Sequence, residues 1–291
     1  MKLMIPATSA NLGCGYDSLG LAVRLYNTFE FWETEQDAVF DSDIDPNDHL
    51  VFQALREAQY TLAFPKKSVT LKVDAGIPVC RGLGSSAACV AAGVMMAFLL
   101  EGRKVDPKQV LSIGTGIEGH PDNLAPIVYG GLTASAALEN GVVARRFPLH
   151  ADVEPVIVVP RFEFATRDAR EALPESVPME DAVANVSRVG LLLGALEDGL
   201  LEDLDALAQD RLHEPYRIPK IAEIDGNYRR VIEKMRTLAH GISLSGAGPS
   251  LIAFTDEADV AEKLQAWFTE QQLGYDAYQP GVETVGYRLE G

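Results

Sequence analysis

The chain has 291 residues, 47% of them hydrophobic and 23% charged, with a mean hydropathy of +0.03. That is ordinary globular composition with apolar material for a sizeable core, and it excludes a long disordered or low-complexity polypeptide. The 42 Asp and Glu residues against 25 Lys and Arg give a net charge of -17, which argues against nucleic acid and anionic membranes as partners and demands local compensation wherever an anion binds.

Three cysteines, Cys14, Cys80 and Cys89, form no CxxC pair. Neither a zinc site nor a disulfide scaffold is expected, and a reducing, cytoplasmic setting fits. The opening MKLMIPATSAN lacks the apolar core of a secretory signal. The longest apolar stretch, Ala87 to Leu100, contains Gly93 and stops at Glu101, too short to span a bilayer.

In chain order, Met1 to Ile5 reads as a strand, and Leu19 to Trp32, rich in alternating and aromatic positions, as a second. An acidic loop, Asp41 to Asp48, leads to a helix over His49 to Tyr60. Ser68 to Val73 alternates as a strand, and Gly76, Pro78 and Gly82 then break the pattern. Ser85 to Leu100 is a helix closed near Gly102. Asp106-Pro107 pairs an N-cap with proline in the first turn of a helix running to about Gly116. Gly130-Gly131 turns into a strand from Leu132 to Leu138, and Glu139-Asn140-Gly141 reads as a hairpin tip.

A second unit is expected from about His150 to Val153, which divides the chain into 1–150 and 151–291. It opens on a β-branched strand at Val156 to Val159. Helices are expected over Thr166 to Leu173, Met179 to Leu196, Leu201 to Leu212, Asn227 to Ala239 and Asp259 to Gln271. A glycine-rich turn between short strands falls at Ile242 to Phe254, and the last strands lie within Ala277 to Leu289. Both halves mix strands with helices, which places the chain in the α/β or α+β class.

The segment Arg81-Gly82-Leu83-Gly84-Ser85-Ser86-Ala87-Ala88 joins two glycines and two serines to an apolar helix. Glycines let backbone approach a ligand, and a helix start offers free N–H groups and the positive end of a dipole, which suits phosphate. On its own the loop reads equally well as a turn before a core helix. A Walker A loop is excluded because no lysine is present. A dinucleotide fingerprint is disfavoured because Pro78 and Arg81 separate the strand from the glycines, and a helix start at Asp106-Pro107 replaces the second strand.

Four further segments make the loop specific: Pro6-Ala7-Thr8-Ser9-Ala10-Asn11-Leu12-Gly13-Cys14-Gly15-Tyr16-Asp17, the extended loop from Pro78, Val79 and Cys80 to Ala88, Glu118-Gly119-His120-Pro121-Asp122-Asn123, and Ser243-Leu244-Ser245-Gly246-Ala247-Gly248-Pro249-Ser250. In this order they resemble the GHMP kinases, the superfamily of galactokinase, homoserine kinase, mevalonate kinase and phosphomevalonate kinase. The PATSANLG opening and the HPDN box are similar to those of its homoserine kinase branch. Thr166 to Pro174 and Glu214-Pro215-Tyr216-Arg217 add to the likeness, which covers nearly the whole chain.

The resemblance implies an α+β GHMP kinase fold, with an N-terminal ATP-binding half like ribosomal protein S5 domain 2 and a ferredoxin-like C-terminal half. It implies transfer of the ATP γ-phosphate to the hydroxyl of L-homoserine, a step toward threonine, with Mg²⁺ as cofactor and a homodimer by analogy. Pro78 to Ala88 (Pro78, Val79, Cys80, Arg81, Gly82, Leu83, Gly84, Ser85, Ser86, Ala87, Ala88) and Ser245, Gly246, Ala247 and Gly248 are then the candidate ATP contacts.

Ser86 and Glu118 are candidate Mg²⁺ ligands, a hydroxyl and a carboxylate as that ion takes. Asn11, Asp17, His120, Arg170 and Arg217 are candidates for homoserine: Asp17 for its ammonium, and the arginines, which fork onto carboxylates, for the other end. Thr166 is expected near the transferring phosphate. Where some relatives carry an aspartate base this chain has Asn123, so catalysis without a carboxylate base is favoured, with Asp122 as the fallback. Cys14 and Cys80 read as small apolar fillers, and His49 stands where Asn is common and borders the expected adenine pocket. Another GHMP small-molecule kinase and a catalytically silent nucleotide or amino-acid sensor are the alternative readings.

Overall fold

The computed structural model describes residues 1–164 and 166–290. Its first sheet begins with β1 (Lys2–Ala10) and the long β2 (Leu19–Thr34), paired antiparallel with a register shift between Pro6 and Ala7. β3 (Ala38–Val39) precedes α1 (Leu50–Thr61), and β4 (Ser68–Ala75) leads through the glycine-serine loop to α2 (Ser85–Leu100). α3 (Pro107–Glu118) and α4 (Leu124–Tyr129) follow, then the hairpin β5 (Leu132–Leu138) and β6 (Gly141–Phe147).

The distal half of β2 pairs β4 and its first residues pair β5. One strand therefore spans the sheet and carries the segment before it, 11–18, to the middle. α2 buries twelve of its sixteen residues, as expected of a helix that is apolar all round and packed on several sides.

The second unit starts with β7 (Glu154–Pro160). It continues through α5 (Thr166–Glu171), α6 (Met179–Asp198), α7 (Leu201–Leu207), α8 (Glu214–Ile224) and α9 (Tyr228–Met235) to β8 (His240–Leu244), β9 (Leu251–Thr255), α10 (Val260–Glu270) and β10 (Tyr275–Tyr278). The sheet order is β10-β7-β9-β8. Ile157 and Val159 on β7 face the first core, whereas Val156 and Val158 face a second one closed by α8, α9 and α10. Burial on both faces explains why β7 is a continuous run of β-branched residues rather than an alternating one. The last strand, β11 (Arg288–Glu290), leaves the second unit and pairs β1 in the first sheet.

Several elements differ from the sequence expectation: β1 runs to Ala10 rather than Ile5, and α9 ends at Met235 rather than Ala239. The Leu201 helix stops at Leu207 instead of Leu212, because the Asp210 carboxylate accepts from the backbone N–H groups of Leu212, His213 and Glu214 and turns the chain. α4 and α8 were not foreseen as helices. α8 holds Pro219 in its interior, where proline removes a hydrogen bond and normally marks a break.

Candidate active site

A cleft of about 700 Å³ lies between the two units, lined from the first by the 78–87 loop and from the second by Arg170, Arg217 and the 246–247 turn. Gly84 caps α2 in the left-handed region, φ +71°, and a side chain there would strike the Thr8 hydroxyl. Within the helix the N–H groups of Ser85, Ser86 and Ala87 have no carbonyl to reach, so they present donors at the cleft. The loop is fixed from both sides: Thr8 N–H donates to Leu83 O at 3.1 Å and the Ser245 hydroxyl to Gly82 O at 2.7 Å.

The Ser86 hydroxyl donates to Glu118 Oε1 at 2.5 Å across the base of α2 and the end of α3. A hydroxyl and a carboxylate converging beside phosphate-binding amides form a donor set that fits Mg²⁺, which takes few protein ligands and hard oxygen. A second group, Asp17, His120 and Asp122, brings its ligand atoms within 4.8 Å of one another. Its nitrogen donor suits Mg²⁺ less, and Asp122 Oδ1 is already engaged by His120 Nδ1 at 2.5 Å and by the Asn123 N–H and amide at 2.9 and 3.3 Å.

The hydrogen bond to Asp122 outweighs burial and pushes His120 above the ordinary histidine value. Packing around the Asp17 carboxyl and the nearby Asp122 push Asp17 up, while His120, Arg217 and Arg170 pull it back. Asp17 itself opens to the cleft with φ +52°. Asn11 holds this corner: its Oδ1 accepts the Asp17 N–H at 2.9 Å and its amide donates to Gly246 O at 2.7 Å. Asn123 Oδ1 accepts from the Thr8 hydroxyl at 2.8 Å.

Arg217 is 4% exposed, Arg170 donates to Glu118 O at 3.3 Å, and both cations act on the Asp17 carboxyl. The structure thus brings Asn11, Asp17, Pro78 to Ala87, Glu118, His120, Asp122, Asn123, Arg170, Arg217, Gly246 and Ala247 to one cleft. Ala88 is buried in the core, and Ser245 and Gly248 stand behind the cleft wall. The Arg81 guanidinium turns to the second unit, donating to Pro160 O and Arg161 O, both at 2.9 Å. The Thr166 side chain lies outside the described residues.

His49 accepts the Val51 N–H and so caps α1, and the next residue, Leu50, reaches the cleft. Burial pushes the Cys14 thiol up to about 12, and Cys80 and Cys89 line the cleft unpaired. Sequence reasoning assigned no role to Tyr16, whose ring lies 5.4 Å from the Arg217 guanidinium carbon. The aromatic in the opening motif was the available signal.

Residues 49–131 match the GHMP kinases N terminal domain and residues 192–271 the GHMP kinases C terminal domain. Homoserine kinase of Nostoc punctiforme (strain ATCC 29133 / PCC 73102) is 36% identical over 298 residues, 98% of this chain and 97% of its own. Homoserine kinase of Clostridium botulinum (strain Kyoto / Type A2) is 35% identical over 262 residues, 89% and 87%. The crystal structure of homoserine kinase from Cytophaga hutchinsonii superposes with a TM-score of 0.84 at 27% identity, covering 99% of this chain and 96% of that one. With its glycine-serine loop, a cleft lined by both charge signs and these relatives, the chain belongs to the homoserine kinase family of the GHMP kinases.

Proposed function

We infer that this protein transfers the γ-phosphate of ATP to the side-chain hydroxyl of L-homoserine, giving O-phospho-L-homoserine. The observation that carries the reading is the pairing, in one cleft, of a lysine-free phosphate loop with side chains of both charge signs, Asp17 together with Arg170 and Arg217. An α-amino acid needs both signs at once, whereas an uncharged alcohol needs neither.

The amides of Ser85, Ser86 and Ala87 and the dipole of α2 receive the phosphates. Ser86 and Glu118 would hold Mg²⁺, which supplies charge neutralisation that the acidic chain does not. Asp17 takes the substrate ammonium, and Arg170 and Arg217 take its carboxylate. Phosphoryl transfer of this kind rests on positioning and on charge stabilisation at the transferred group. Asn123, fixed by Thr8, orients the hydroxyl. Asp122 acts on His120 and Asn123 rather than as a base. The division into an ATP-binding half, 1–150, and a substrate half, 151–291, follows the same reading.

A coupled ADP-release assay with L-homoserine, mevalonate and galactose tests it. Turnover of L-homoserine alone is expected. Turnover of mevalonate or galactose in its place favours another small-molecule kinase, and ATP binding without ADP release from any of the three favours a sensor.

A further inference from the structure

Arg217 is a buried cation whose hydrogen-bond acceptors among the described residues are all neutral. Its Nε donates to Ala169 O at 3.1 Å, and one terminal nitrogen contacts Gly246 O at 3.4 Å and His213 Nδ1 at 3.2 Å. Resting on the homoserine reading, we propose that His213 is a positioning residue: it aims the Arg217 guanidinium while leaving its full charge for the substrate carboxylate. A carboxylate in that place would orient the arginine equally well but would form an internal ion pair and spend the charge the substrate needs.

The geometry supports this at each contact. His213 is fully buried at the N-cap position that precedes α8. Burial, with Arg217 acting in the same direction against Asp210, pushes its ring down to about 4, so it is neutral at ordinary pH. Because Nδ1 faces an arginine N–H, it is the acceptor and the ring proton sits on Nε2. Among the described residues Nε2 has no hydrogen-bond partner, and Asp210 Oδ2 is 3.7 Å away. The ring is held by stacking on Tyr16, centroids 4.9 Å apart and planes at 25°. The same Tyr16 ring attracts the guanidinium across its face.

A buried polar frame fixes the backbone beneath. Asp210 Oδ2 accepts the N–H groups of Leu212, His213 and Glu214 at 3.1, 2.7 and 2.7 Å. Asn185 on α6 donates to Asp210 Oδ1 at 2.6 Å and to Cys14 O at 3.0 Å. Through Cys14 the frame also grips the loop that carries Tyr16 and Asp17.

The test is steady-state kinetics of His213→Asn, His213→Ala and His213→Asp with L-homoserine and with L-homoserine amide, which lacks the carboxylate charge. His213→Ala is expected to raise KM for homoserine by about tenfold or more with kcat within about threefold and KM for ATP unmoved, the split that marks lost substrate binding. Asn, a neutral acceptor, recovers most of the loss. Asp is worse than Ala toward homoserine. The amide is turned over alike by the wild-type protein and all variants. Should Ala fail to fold, the Asn and Asp pair against the two substrates carries the same comparison. Equal losses on both substrates, or an Asp variant as good as Asn, would overturn the proposal. A wild-type protein that turns over no homoserine would instead overturn the functional reading.

Discussion

Ser86 and Glu118 meet through one short hydrogen bond across 32 residues of sequence, and in the proposed reaction that hydroxyl and carboxylate would hold the Mg²⁺. Glu118→Gln keeps the shape and removes the charge. We expect kcat to fall about 100-fold or more, as for loss of a preorganised charge at a transferring group, with the Mg²⁺ concentration for half-activity raised and the melting temperature little changed. A magnesium titration of activity checks this, and unchanged metal dependence would move the ion elsewhere.

Asn123 makes the second residue test. If it orients rather than accepts a proton, Asn123→Ala lowers kcat without introducing or removing an ionisation in the pH–rate profile, whereas a carboxylate limb lost only in Asp122→Asn would name Asp122 as base. These residues were legible because their motifs carry the chemistry locally. His213 and Tyr16 were not, since their roles arise only when α8 from one half meets the 11–18 loop of the other.

Among the elements, the 78–88 loop depends most plainly on glycine. Gly82 has φ +75°, and a Cβ there would lie 2.1 Å from Ser245 O and 2.8 Å from Gly248 O, both backbone. Gly82→Ala therefore combines left-handed strain with a clash between the two halves, together costing about 2–5 kcal/mol. Gly102→Ala is the control: φ is +63° with nothing within 4 Å, so only the strain, about 1–2 kcal/mol, remains. Denaturant melts of the two variants should differ in that order, and equal losses would mean that the contact with the 245–248 turn carries no weight.

α8 shows where pattern reading stops. Its Pro215 and Pro219 signal a break, but Pro215 sits in the first turn, where no N–H is needed. Burial of Ile221 and Arg217 and the anchor from Glu214 Oε1 to the Leu244 N–H at 2.6 Å hold the rest in helix. Local propensity loses there to tertiary contact. The return of β11 to the first sheet was invisible for the same reason, since no local signal tells a strand which sheet it will join.

Two buried glutamates contribute opposite pH dependences to stability, and each belongs to a seam. Glu214 ties α8 to β8, and burial pushes its carboxyl up to about 8 from an ordinary 4.5, against the Leu244 hydrogen bond that pulls down. Glu283 lies in the segment that crosses back to the first sheet, where its N–H donates to Ala22 O and its carbonyl accepts the Gly131 N–H. Its own burial pushes it up, yet the bonds from Tyr26, the Val285 N–H and Arg288 outweigh that and hold it below the usual carboxylate value.

The signs differ. The folded chain binds the Glu214 proton more tightly than the unfolded chain does, so that contribution is complete below about 4.5 and is lost as pH rises through about 8. The folded chain binds the Glu283 proton less tightly, so its contribution is present above the ordinary value and is lost as pH falls through the lowered one. Below about 6.5 the lowered His213 opposes the Glu214 slope, so the decline should show between about 6.5 and 8, with a slope of up to about 1.4 kcal/mol per pH unit for one proton. Glu214→Gln keeps the acceptor for Leu244 and should flatten the alkaline decline. Glu283→Gln should leave that decline and weaken the protein most above pH 5. Melting temperatures of the three proteins from pH 4 to 9 decide it, and an alkaline slope that survives in Glu214→Gln would show that this seam is not where the proton is held.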